Sequence, residues 1–280
     1  MPDKPVALTI AGSDSGGGAG IQADLKSMEA NGVFGASALA AVTAQNTETV
    51  AEAHDLPPSL VAAQIDAVAT DMDVAVAKTG MLSSPGIIET VAERVEAHGL
   101  FPFVVDPVMI SKSGFKLLQD AAIDTLVHEL LPLATVVTPN VHEAEHLTSL
   151  EIETTDDLRT AGEALLDYGP DAVLVKGGHL ADVEQAVDVL VRPDHTSTFA
   201  ASHIETKHTH GTGCTYASAI AANLAKGYDL ERAIDRAKCY VTGAIRHALA
   251  LGHGRGPTGH FFHLDPEAAL SEADVAVASS

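Results

Sequence analysis

Short apolar runs recur along the chain, with amphipathic stretches of helical length between them. Residues 6–11, 36–43, 74–78, 103–106, 134–138 and 172–176 mostly lack strict polar alternation, which predicts buried strands covered on both faces. Ile21, Leu25 and Met28 share one helical face, and Asn31-Gly32 supplies a stop. The helical pattern returns over 57–72, 85–99, 120–131 and 155–168. Strands and helices in alternation imply parallel βαβ units. After Lys176 the pattern changes. Residues 186–191 and 196–205 read as sequential strands about the turn Arg192-Pro193-Asp194, and long helices are expected over 213–226 and 230–251. No repeat or linker divides the chain. The expectation is one α/β domain over residues 1–280, an αβα sandwich with 265–280 as a tail.

The 280 residues are 46% hydrophobic, enough for a large core. No apolar run approaches the roughly 20 residues of a membrane span. The start, Met1-Pro2-Asp3-Lys4-Pro5, lacks the basic-then-apolar layout of a signal peptide, so a cytoplasmic protein is expected. Cys214 and Cys239 form no CxxC pair, which fits a reducing compartment. A formal charge of −22 repels nucleic acid and anionic membranes. Trp is absent, so an aromatic stacking platform for single strands has little to work with. The acids are spread along the chain, and with modest Lys and much Ala this predicts a high-salt (halophile) cytosol.

Three segments carry candidate chemistry. GSDSGGGAG at 12–20 joins a strand to a helix, and open α/β sheets bind ligands at such strand ends. It is neither a Walker A loop nor GxGxxG, and Asp24 follows one turn into the helix. HGTGCT at 210–215 opens a long helix. Successive backbone N–H groups there would make an anion hole of the kind phosphoryl transfer needs. The same dipole and His210 are expected to lower the pKa of Cys214, while Cys239 reads as packing. Asp106 in VVDPVM, and Asn140 and Glu143 in TPNVHE, stand at strand ends, where carboxylates can hold Mg²⁺. Two rival motifs overlap these segments or lie apart from them. His142-Glu143-Ala144-Glu145-His146 matches the HExxH pattern of zinc metalloproteases, which would need both His on one helix face and a third ligand. GRGPTG at 254–259 fits GxGxxG but has no strand before it, so it predicts no dinucleotide site.

In their order and spacing these parts resemble the hydroxymethylpyrimidine/phosphomethylpyrimidine kinases of thiamine biosynthesis, within the ribokinase-like superfamily. The resemblance runs from about Ala7 to Phe262 and rests on TIAGSDSGGGAGIQADLK, VTAQNT, KTGM, VDPVM, TPNVHE, KGGH, HGTGCT and GRGPTGHF. It implies a ribokinase-like three-layer αβα sandwich with a mostly parallel central sheet. It implies ATP-dependent phosphorylation of a hydroxymethylpyrimidine to its monophosphate and then to the diphosphate, with Mg²⁺. Gly12, Ala19, Asp24, Gln45, Met81 and Val108 would line the pyrimidine pocket. Asp106 and Glu143 would serve Mg²⁺. Asn140, Lys176 and Lys238 would lie by the nucleotide and phosphates. Gly211, Thr212, Gly213 and Cys214 would form the anion hole, with Cys214 where many relatives carry a catalytic Asp. A homodimer is compatible with such folds, and nothing in the sequence requires one.

Pyridoxal kinases of the same fold are the nearest rival. Asp24 and Gln45 favour an aminopyrimidine, whose ring amine and nitrogen would offer paired contacts. His142 and His146 depart from the family's pattern. A non-catalytic pyrimidine sensor would keep the pocket and lose the metal and anion-hole residues, and here both sets are present. The Ala/Ser-rich tail leads us to expect no appended thiamine-phosphate synthase domain. The reading requires segments 12–20 and 211–214 to face each other across one cleft, beside Asp106 and Glu143.

Overall fold

Apolar runs become a sheet here because both faces of the central strands are covered. The computed structural model describes residues 4–109, 118–178, 180 and 185–264, so His179 and the tail lie outside the described residues. Eight strands form the main sheet: β1 Val6–Ala11, β2 Phe34–Leu39, β5 Val74–Thr79, β6 Phe103–Val105, β7 Val136–Val137, β8 Val173–Lys176, β9 Gln185–Val191 and β10 Thr196–Ser202. Their spatial order is β10-β9-β8-β7-β6-β5-β1-β2. Neighbours from β2 to β8 run parallel, and β9 and β10 close one edge as an antiparallel hairpin.

Alternate residues of the strands serve two cores. Leu8, Ile10, Phe103, Val105, Val173 and Val175 face helices α2 Pro58–Ala69, α3 Pro85–His98, α5 Val141–Thr148 and α6 Thr155–Leu166. Ala7, Val76, Val104, Val136, Leu174 and Leu190 face α7 Thr212–Ala225 and α8 Leu230–Arg246, with α1 Gly20–Ala30 beside them. This is the expected αβα sandwich with a mostly parallel sheet. Each fully buried Leu, Ile or Phe contributes about 1.5–3 kcal/mol, so burial on both faces is what holds the short central strands.

Three expectations change. The run 36–43 is not one strand. The chain leaves the sheet at Ala40, whose N–H donates to Ala11 and whose carbonyl accepts from Leu56. It then forms a separate antiparallel pair, β3 Ala41–Gln45 with β4 Val50–Asp55. The helix expected over 120–131 starts as α4 Asp120–Thr125 and widens into a π-turn, Leu126–Leu130, before the 3₁₀ turn Leu131–Leu133. The last long helix stops at Arg246 rather than 251, because the Ala244 and Leu249 backbones turn to pair with Gly259 and Pro257. Among the described residues no helix is long and apolar enough to cross a membrane.

Candidate active site

The carboxyl ends of β1, β5, β6, β7 and β8 open on the same edge of the sheet, and β1 lies where successive crossovers change direction. Such switch points are where open α/β sheets leave a crevice. The glycine loop leaves β1 here, and its shape comes from one carboxylate. Asp14 accepts hydrogen bonds from the backbone N–H groups of Gly16 (2.8 Å), Gly18 (3.0 Å) and Ala19 (2.8 Å). Its Oδ2 also meets Nε2 of His210 at 2.8 Å. Burial raises the Asp14 pKa, but His210 and the loop amides outweigh it and hold the carboxyl below its ordinary value.

His210 therefore ties the loop to the turn that opens α7. Gly211 stands at φ 76°, and a Cβ there would overlap the carbonyl oxygen of Gly18. Only glycine combines that backbone with that approach. The Ala19 backbone is beside it. Segments 12–20 and 211–214 thus touch, as the sequence reading required. Thr212 Oγ1 donates back to Thr209 (2.9 Å), while the N–H groups of Gly213 and Cys214 belong to the first helical turn, which offers them no intrahelical acceptor. They point a ready anion site at the cleft.

Cys214 corrects an expectation. His210 turns to Asp14 and leaves the thiol. Burial pushes the Cys214 thiol up to about 12; Lys78 and the Gly20 N–H pull it down, while Asp24 and Asp106 push it up. Its surface is only partly open, yet the packing around it outweighs the helix dipole. At neutral pH this is a thiol, a hydrogen-bonding group rather than a base.

Asp106 and Lys176 flank the turn. Lys176 Nζ lies 2.9 Å from Asp106 Oδ1, which Thr138 also approaches at 3.2 Å. A Cβ on Gly213 would sit 3.6 Å from Lys176 Nζ and 3.7 Å from Asp106 Oδ2. Asp106 is 2% exposed, and Oδ2 has no hydrogen-bond partner. A buried, unpaired carboxylate oxygen is costly in isolation, and it fits a cation. Asn140 and Glu143 form a reciprocal capping box at α5: the Glu143 N–H donates to Asn140 Oδ1 (3.0 Å), and the Asn140 N–H donates to Glu143 Oε2 (2.9 Å). Burial pushes the Glu143 carboxyl up to about 7, against Lys176 and with Asp106. Burial opposes charge on Lys176 too, but Asp106 and Glu143 hold its pKa above the ordinary value. Two carboxyl groups and one ammonium thus sit together at the ends of β6, β7 and β8.

On the other side, the Gly12 N–H donates to the Met81 carbonyl (3.2 Å), and the Met81 side chain covers Gly12. Gln45, on β3, brings its amide to 3.4 Å from His210 Nε2. Val108 follows Asp106 and, with Thr79 and Gly80, lines a cavity of about 10 Å³, room for about one water.

Two assignments do not hold as expected. Asp24 is fully buried and presents nothing to a ring. Lys78 Nζ donates to both its oxygens (2.8 and 2.9 Å), and Thr9 and Ser218 hydroxyls donate to it as well (2.6 and 2.7 Å). Lys238 is buried against Asp188 (2.6 Å), whose other oxygen accepts from the Gly177 N–H (3.2 Å). It supports the loop after β8 from behind. Asp14 and Lys78 are the polar residues that sequence reasoning left without a role. The HExxH match fails on geometry: His142 and His146 face solvent while Glu143 turns inward, and no group of three metal-ligating side chains occurs among the described residues. GRGPTG packs against residues 47, 208 and 249, and it braces the cleft through the bridge between His210 and Pro257.

Comparison with known proteins places this geometry. Residues 14–259 match the family model described as phosphomethylpyrimidine kinase. The hydroxymethylpyrimidine/phosphomethylpyrimidine kinase of Streptomyces coelicolor is 50% identical over 256 residues, covering 91% of this chain and 94% of its own. That of Bacillus subtilis is 46% identical over 255 residues, again 91% and 94%. Among solved structures, the phosphomethylpyrimidine kinase of Clostridium difficile superposes with a TM-score of 0.77 at 45% identity, covering 86% of this chain and 100% of that one. An ADP complex of Bacillus subtilis pyridoxal kinase superposes at 0.86 with 38% identity, covering 92% and 98%.

Proposed function

The chain belongs to the phosphomethylpyrimidine kinase family, and from that membership and the cleft we propose that it phosphorylates hydroxymethylpyrimidine to the monophosphate and then to the diphosphate, with ATP as donor. The carrying observation is the contact of the glycine loop with the α7 turn at Gly18 and Gly211, with Asp106 and Lys176 alongside. Acceptor and phosphoryl donor would meet there.

In this reading Gly12, Ala19, Gln45, Met81 and Val108 surround the ring. The amides of Gly213 and Cys214 receive the moving phosphoryl group. Lys176 and Asn140 lie along the triphosphate. Mg²⁺ would be held by Asp106, through its unpaired Oδ2, and by Glu143, directly or through water. When bound it supplies neutralisation of charge on the β- and γ-phosphate oxygens. The acceptor oxygen bonds to the γ-phosphorus, the bond from that phosphorus to the ADP oxygen breaks, and in the first step the hydroxyl proton passes to solvent, whereas the phosphate acceptor of the second step is already ionised. Cys214, as a neutral thiol, orients the acceptor without repelling one that already carries a phosphate.

A coupled ATPase assay with hydroxymethylpyrimidine, with products resolved as mono- and diphosphate, tests this. Pyridoxal is run in parallel, since pyridoxal kinases share the fold. Turnover of pyridoxal without turnover of the pyrimidine would overturn the reading.

A further inference from the structure

Beneath the cleft lies an ion pair with no access to solvent. Lys78, near the end of β5, and Asp24, one turn into α1, are both fully buried. Lys78 is among the largest fully buried side chains of the protein. Stability does not explain the pair. Desolvating two charges costs about as much as their attraction returns, and an apolar replacement is often neutral or stabilising. What sets this pair apart is what it holds.

Asp24 Oδ1 accepts from the Ser218 hydroxyl on α7, and Ser218 is four residues beyond Cys214, on the same helical face. Asp24 Oδ2 accepts from Thr9 on β1. One carboxylate therefore joins α1, α7 and the central strand, and Lys78 fixes it from β5 through both oxygens. A Cβ on Gly80 would come within 3.1 Å of the ammonium, so the chain is pared back to admit it next to the strand end.

We propose that Lys78 is a positioning residue for phosphoryl transfer. Through Asp24 and Ser218 it sets the height of the α7 face that carries Cys214 and the first-turn amides, and it balances the Asp24 charge behind them. The charged groups acting on Cys214 are Lys78 from β5, Asp24 from α1, Asp106 from β6 and Lys176 from β8. The kinetic part rests on the function proposed above; the thiol part does not.

The test uses the full chain with Cys239, on the exposed face of α8, changed to Ser. Cys214 is labelled with iodoacetamide at fixed pH in Lys78→Met, Asp24→Asn and the double variant. Asp24→Asn is expected to speed labelling and Lys78→Met to slow it. Shifts in the same direction, or none, overturn the electrostatic role. Lys78→Met alone leaves a buried anion and can fail to fold. The double variant removes both charges and is expected to keep the parent's melting temperature within a few degrees. Its kcat is expected to fall on the order of 100-fold, the cost of a small misplacement at a reacting centre, with KM for the pyrimidine little changed. A double variant with parental kcat reduces Lys78 to a structural role and overturns the proposal. A parent that does not turn over the pyrimidine refutes the function instead, and the labelling experiment still reads the electrostatics.

Discussion

Glu143 is the side chain whose charge in the fold departs from habit in the most measurable way. Its carboxyl titrates at about 7 in place and near 4.5 ordinarily. Between those values the folded chain keeps a proton that the unfolded chain has lost, so stability falls as pH rises through this window and levels off above 7. We expect Glu143→Gln, in metal-free buffer, to flatten thermal stability between pH 5 and pH 7 by about 1–3 kcal/mol relative to the parent. An unchanged difference between the two pH values would refute the assignment. Cys214 makes a kinetic prediction. Cys214→Ala should slow phosphorylation of the alcohol roughly tenfold or more and the second step less, since the thiol's hydrogen bond orients a neutral hydroxyl, whereas a phosphate acceptor is also held by its own charge. Cys214→Asp should support the first step and hinder the second by repulsion. Rate constants for the separate steps, measured with the alcohol and with the monophosphate, check both, and equal losses would sink the division of labour. Motif spacing made Cys214, Asp106 and Glu143 legible as candidates. It did not make their charge states legible. Dipole and His210 suggested a lowered thiol pKa, and burial reversed it. The family resemblance made Asp24 a ring contact; its partner Lys78 is 54 positions away in sequence, and no local signal joins them.

The α7 turn shows how an element's first residue can carry a site. Gly211→Ala would force a Cβ into the Gly18 carbonyl at a left-handed backbone position. The expected result is a loss of about 1–3 kcal/mol of stability. KM for nucleotide and pyrimidine should rise together, because the glycine loop and the anion site share this contact. A melting curve and steady-state kinetics check it, and a rise in only one KM would argue against that coupling. The central strands of the main sheet were legible because their runs are buried on both faces. β4 was not. Only Val50 of its six residues is buried, and Glu52 and His54 lie in solvent, so no apolar pattern marks it. The break at Ala40 was equally silent, since it is set by backbone bonds to Ala11 and Leu56 rather than by a turn residue. Helix starts fared better where side chains cap them, as at Asn140 and Thr154.

Across the whole molecule, composition and structure meet in the charge. The chain carries 38 acidic and 16 basic residues, and three of the basic ones, Lys78, Lys176 and Lys238, are turned inward onto Asp24, Asp106 and Asp188. Each of these pairs withdraws one charge of either sign, so the three together leave the acidic excess unchanged. The Debye length falls from about 10 Å at 0.1 M to about 3 Å at 1 M salt, so the melting temperature should climb by several degrees as KCl is raised over that range. A flat profile would count against a high-salt adaptation. Fold class was legible at this scale from strand–helix alternation alone, whereas the pairing of distant loops was not. That pairing also constrains when the enzyme can work. Asp14 and His210 are 196 positions apart, and α7 packs on α1, β1 and β5. A chain still on the ribosome has its glycine loop and most of its sheet long before the turn that completes the catalytic cleft. Activity is therefore withheld until the α7 turn has left the ribosome, and fragments ending before α7 should be inert even where they fold.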